Sequence, residues 1–122
     1  MPNPSYLALN QMLGQILYSG QIASTSATTL YTVPSNTTTK VATMSLCNTS
    51  GSPVTVTIHL LQAGQTADGT HSVVSGYSLS AGDTLSLRDY IGGAMLATGE
   101  AIAVTVGTAN VVDVVITGAV SS

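Results

Sequence analysis

Leu30–Leu61, LYTVPSNTTTKVATMSLCNTSGSPVTVTIHLL, decides the fold. It holds three runs rich in Thr, Val and Ile, divided by PSN at Pro34–Asn36 and NTSGSP at Asn48–Pro53. Branched side chains suit a pleated, half-buried surface, and clusters of Pro, Asn, Ser and Gly mark turns. The stretch therefore predicts an antiparallel meander of three strands. In Val54–Leu61, Val54, Val56, Ile58 and Leu60 fall on one face and Thr55, Thr57, His59 and Leu61 on the other, the alternation of a sheet packed on one side. In Lys40–Cys47 both alternating sets carry apolar residues, which predicts a central strand.

Working outward, Ala63–Ser72 (AGQTADGTHS) is the longest loop, and Asp68, Gly69 and His71 are its expected exposed tip. Val73–Leu79 reads as a strand. Ala81–Leu87 and Thr98–Val104 then share one pattern, a Gly turn with an acid that launches a strand. Leu85 and Leu87, and then Ile102, Val104 and Val106, are expected to point inward. Between them, Asp89–Ala97 suits a bent connection whose Ile91, Met95 and Leu96 plug one end. Val111–Thr117 closes the fold with Val112, Val114 and Ile116 inside.

Upstream, Gln21–Ser26 can form a short first strand. Ser5–Tyr18 places Tyr6, Leu9, Leu13, Ile16 and Leu17 near helical spacing after a Ser5 cap. This predicts a short amphipathic helix ending near Gly20. Such a helix is marginal in water unless it docks, so those five residues are the expected assembly contacts, on the same subunit or a neighbouring one. The expected organisation is an anchoring arm, helical or extended, over 1–20 and a β-sandwich domain over 21–122. The fold class is all-β, an antiparallel two-sheet sandwich of about eight strands, of jelly-roll or immunoglobulin-like type.

The ordered series LYTVP, CNTSG, VTVTIHL and AGDTL resembles a family of small β-sandwich proteins and domains encoded in tailed-bacteriophage genomes, over roughly Ala23 to Gly118. The resemblance implies a virion structural component of the head surface or the tail, without enzymatic activity. It also implies self-association, as a homotrimer on a threefold site, and a major capsid protein or another virion protein as partner. The leading expectation is a decoration or cement protein of the capsid, located in the virion and assembled in the host cytoplasm. The alternative is a tail, collar or fibre-associated module that contacts host-surface glycan.

Composition points the same way. The chain of 122 residues is 44% apolar but only 6% charged, with no Phe or Trp, whereas ordinary globular chains carry about 25% charged residues. Thr and Ser supply more than a quarter of it. Isolated soluble proteins keep well-charged surfaces, while interface cores are depleted in charge, so much of this exterior is expected to face other subunits. Disorder goes with low hydrophobicity and high net charge and does not fit. A net charge of −3 with only Lys40 and Arg88 as cations offers no basic patch for nucleic acid. The N-terminal stretch lacks the basic region of a signal peptide, and no run nears the roughly 20 apolar residues of a membrane span. Cys47 stands alone and reads as a small buried hydrophobe.

No reaction is legible. His59 lies mid-strand and reads as a polar packing residue. His71 and Asp68 are two ligands where zinc needs three or four, so neither metal nor cofactor is expected. Asp83 and Glu100 occupy equivalent turn positions, where a short acid serves backbone hydrogen bonding rather than paired carboxylate catalysis. Tyr31, Tyr77 and Tyr90 could line a sugar-binding surface, although filling the core or a subunit contact suits them better. The chain is expected not to be an enzyme.

Overall fold

The computed structural model describes residues 13–67, 70–88 and 91–121. Nine strands run in order: β1 Leu13–Gln21, β2 Thr28–Thr32, β3 Thr38–Asn48, β4 Val54–Leu61, β5 Ser72–Leu79, β6 Thr84–Ser86, β7 Met95–Leu96, β8 Ala101–Val106 and β9 Val112–Ser121. They form two sheets. One has the order β1-β9-β3-β6, with β7 also on β3, and the other has the order β2-β8-β4-β5. All pairings are antiparallel.

With the two-residue β7 set aside, the pairings nest. β1 joins β9, β2 joins β8, β3 lies beside β6, and β4 beside β5. The chain is thus doubled on itself and rolled, which is the jelly-roll arrangement of two Greek keys. An immunoglobulin sandwich groups its strands differently. The topology therefore selects between the two types that the turn spacing left open.

The core lies between the sheets. Met44, Leu46, Val114 and Ile116 from one sheet face Val56, Ile58, Ile102 and Val104 from the other, all fully buried. Ile91 and Leu96 close one end as expected, but Met95 is 57% exposed. Met95 pairs with Lys40 on the outer side of β3, and its neighbour Leu96 takes the inward position opposite Thr39. Two neighbours of β9 each carry an irregularity at the same level. The register shifts between Ile16 and Tyr18 on β1 and between Val41 and Thr43 on β3. An extra residue in each reverses the inside-outside parity, which puts Val41 and Met44 both inside.

The helix expected over Ser5–Tyr18 is not formed in its described part. Residues 13–21 are the edge strand β1, paired along their length with β9. The bulge at Leu17 is the physical reason, because the extra residue lets the consecutive Leu17 and Tyr18 both pack on the core and so hides the period of two that marks a strand. Ile16 is 64% exposed, whereas Leu17 packs against the core. The strand expected at Gln21–Ser26 is instead the end of β1 followed by an irregular link. There Ile22 alone is buried, tied by Ile22 N–H to Val112 O and Asn110 N–H to Ile22 O.

A hydroxyl pair joins the sheets. Tyr31 on β2 lies 2.7 Å from Thr39 Oγ1 on β3, and Thr39 is fully buried. Tyr31→Phe is expected to cost about 1–2 kcal/mol by stranding that hydroxyl. The double variant Tyr31→Phe/Thr39→Val should recover most of the loss in urea unfolding. Equal losses in the single and double variants would refute the pairing.

Candidate assembly surface

Cross-strand partners share a face, so the register of the five-stranded sheet maps its outer surface. One row runs Gly14, Ala119, Lys40, Met95. The next is Ile16, Thr117, Thr43, followed by Ser19, Val115, Ser45, Ser86. The last is Gln21, Asp113, Cys47, Thr84. None of these residues is buried. Nine of these fifteen are Gly, Ala, Ser, Thr or Cys, and two, Lys40 and Asp113, are charged. Thr43 and Thr117 hydroxyls lie 2.7 Å apart and use up much of their own hydrogen-bonding capacity. Among the described residues, three of the four large apolar side chains left exposed, Ile16, Met95 and Val115, lie on this one face. A shallow depression at Ser19–Gln21 and Asp113–Val115 marks its edge. There Gln21 Nε2 donates to Asp113 Oδ1 at 3.0 Å. Cys47 is half-buried on this face rather than inside.

The outer face of the four-stranded sheet is different. His59, Leu61, Ala101 and Ala103 point outward there yet are buried, and Ala67 of the β4–β5 loop packs on the last three. A Cβ on Gly99 would lie 2.9 Å from that of Ala63, so the loop also presses on the turn before β8. The alternation expected for Val54–Leu61 holds in direction, with Leu60 opposite Ile102 on the inner face and Leu61 opposite Ala101 on the outer, and only the burial departs from it. Leu60 is only half-buried, whereas Leu61 lies beneath the loop. His59 Nε2 lies 3.1 Å from Thr105 Oγ1, a diagonal cross-strand contact between β4 and β8.

Of the expected assembly contacts, Ile16 stands on the exposed face and Leu17 on the inner one. Leu13 joins through its backbone to Val120, and Tyr6 and Leu9 lie outside the described residues. Of the expected loop tip, Asp68 and Gly69 also lie outside them. His71 is half-buried, with its Nε2 3.2 Å from Thr70 Oγ1. Sequence reasoning missed the flat face because nothing in β1 signals a strand. The cue available was the alternation in Val112–Ser121 continuing beyond Thr117.

Asp83 and Glu100 serve their own turns. Asp83 N–H bonds Ser80 O and Glu100 N–H bonds Ala97 O, each at 3.0 Å, around Gly82 and Gly99 at φ 72 and 85. These are type II turns, where the third residue needs positive φ. Asp83 Oδ1 accepts from Thr84 N–H at 2.9 Å and Glu100 Oε1 from Ala97 N–H at 2.7 Å. Tyr31 and Tyr77 lie on β2 and β5, opposite edges of the four-stranded sheet, and Tyr90 is outside the described residues. Among the described residues no three His, Cys, Asp or Glu side chains converge as metal ligands. No helix among them is long and apolar enough to cross a membrane.

The fold is that of a jelly-roll β-sandwich with one broad sheet face that no other described residue covers. No family model matches the chain, and no curated protein matches it. Among solved structures it is similar to the coat protein of Tobacco streak virus, at 12% identity over 93% of this chain and 88% of that one, with a TM-score of 0.52. That likeness shows a shared fold. Other matches are a chain of the infectious bursal disease virus particle and the capsid of cyanophage Pam1. The first has 11% identity, 91% and 31% coverage and a TM-score of 0.49, and the second 15% identity, 91% and 86% coverage and a TM-score of 0.36.

Proposed function

We propose that the chain is a structural subunit of a tailed-phage virion, a decoration or cement protein that self-associates on the head and strengthens the shell. The observation that carries this reading is the outer face of the five-stranded sheet. It bears Ile16, Met95 and Val115 in the open and, among the mapped residues, only Lys40 and Asp113 as charges, in a chain with 6% charged residues. Such a surface loses little on desolvation and gains by burial against a neighbour. The likeness of fold to a viral coat protein supports the reading. The mechanism is mechanical. A subunit that straddles a junction between shell proteins and buries about 800 Å² on each raises the free energy needed to part them. No reaction is assigned, and the virion, assembled in the host cytoplasm, is the proposed location.

Added to empty heads of the phage whose genome encodes it, the protein is expected to bind in hundreds of copies per head, about the order set by capsid geometry, and to raise the temperature at which heads burst. Failure to bind heads, together with a few copies in purified particles, would point instead to the tail or fibre reading. Tyr77, 44% exposed on edge strand β5, is the observation that favours that second reading. Loss of glycan binding in Tyr77→Ala would then support it.

A further inference from the structure

We propose that the outer face of the five-stranded sheet is a self-complementary interface that takes a second copy of this chain, stacked face to face about a twofold axis lying across the strands. The inference goes beyond the virion reading and does not depend on it: it gives this face to a second copy, so that contact with shell proteins falls to other surfaces of the pair.

Its basis is where the charges fall. The mapped face carries one cation and one anion, Lys40 in the first row and Asp113 in the last. Ala119, the β9 partner of Lys40, lies six residues from Asp113, so the charges are about 20 Å apart and cannot meet within a subunit. Asp113 accepts only from the neutral Gln21 amide among the described residues. A half-turn about an axis in the plane of the face and perpendicular to the strands lays the first row of one copy over the last row of the other. Lys40 then meets the Asp113 end of its partner twice per dimer, as an isologous contact requires. The same operation lays the Ile16 row over the Val115 row, which puts exposed apolar side chains at the centre and charges at the rim. A twofold axis along the strands keeps Lys40 over its own row and pairs no charges.

Size and shape agree. A ten-residue β9 flanked by β1, β3 and the short β6 and β7 presents roughly 30 Å by 20 Å, on the order of the 800 Å² per partner of a standard interface. Small side chains leave the surface flat enough for aligned sheet packing at about 10 Å.

The test is a charge swap in the full chain, read by sedimentation equilibrium. The natural protein is expected to be a dimer. Lys40→Asp or Asp113→Lys should each weaken association at least about tenfold by setting like charges together. The double variant Lys40→Asp/Asp113→Lys should restore it, which no repair inside one subunit can do across that separation. Thermal unfolding of each variant controls for misfolding, and Ile16→Arg supplies an independent disruption of the centre. A monomer at every concentration, a trimer, or a dimer indifferent to both reversals would overturn the proposal. Binding to heads by a protein with any of those outcomes would leave the decoration reading standing while this one fell. A swap-rescued dimer that ignores heads would do the reverse.

Discussion

Gly118→Ala is expected to destabilise the fold by about 3 kcal/mol, more than most single-methyl additions. Gly118 is buried in β9 at the level where β1 and β3 both bulge. A Cβ there would run into the carbonyl oxygen of Lys40 and lie 3.1 Å from Leu17 Cδ1. The first obstacle is backbone, held in place by the pairing of Lys40 with Ala119 and Val41 with Gly118. It cannot rotate away as a side chain would, so β3 and β9 must part at the middle of the sheet. Gly14→Ala on β1 is the matched control. Its Cβ would meet only Gly118 O at 3.9 Å, an ordinary contact, so its effect should stay within about 0.5 kcal/mol. Urea unfolding of the two variants measures the contrast, and equal effects would mean that the close approach of β3 to β9 is wrong.

Asn48→Asp is expected to cost still more, about 4 kcal/mol, against a total that rarely exceeds about 15 kcal/mol for a domain. Asn48 is fully buried at the end of β3. Its Nδ2 donates to the carbonyls of Ser52 at 2.8 Å, Leu79 at 3.0 Å and Ser80 at 3.3 Å, and its Oδ1 accepts from Ser50 N–H at 3.0 Å. One amide thereby holds the β3–β4 turn and ties β3 of one sheet to the end of β5 in the other. A carboxylate has the same shape but no donor, and it would place a negative oxygen against three carbonyls. Asn48→Ala removes the donor without the repulsion and should cost about 2 kcal/mol. If thermal unfolding ranked alanine as the worse substitution, packing rather than donor chemistry would govern the site.

Much of this architecture was legible where the pattern was local. The strands β2, β3 and β4 follow from Leu30–Leu61, but the meander expected of them does not form: β3 lies in one sheet and β2 and β4 in the other, and none of the three pairs with another. The twin turns at Gly82 and Gly99 follow from a small residue, Gly and an acid recurring in order. What failed was set by distant parts of the chain. Ile16 and Leu17 look helical in sequence, and only pairing with β9, a hundred residues on, makes β1 a strand with a bulge. Leu61 looks exposed by alternation, and only the loop bearing Ala67 buries it. Asn48 reads as a turn former, and its bonds to Leu79 and Ser80 depend on the second sheet. The jelly-roll order itself is a matter of which strands meet, which no single strand encodes.

The candidate surface was legible only as a shortage of charge. That shortage said that something covers the exterior but not where, because the face is assembled from β1, β3, β6, β7 and β9. Tyr6 and Leu9 were singled out for the same role and lie outside the described residues. Of the two whose side chains are described, Ile16 stands in the open on the mapped face and Leu17 packs against the core.

The most direct measurement is an image reconstruction of the intact particle, with this chain fitted into its density. The account predicts many copies on the outside of the head, each with the β1-β9-β3 face covered by a neighbouring molecule. Absence of the chain from the particle, or subunits whose Ile16, Met95 and Val115 all face open solvent, would contradict it.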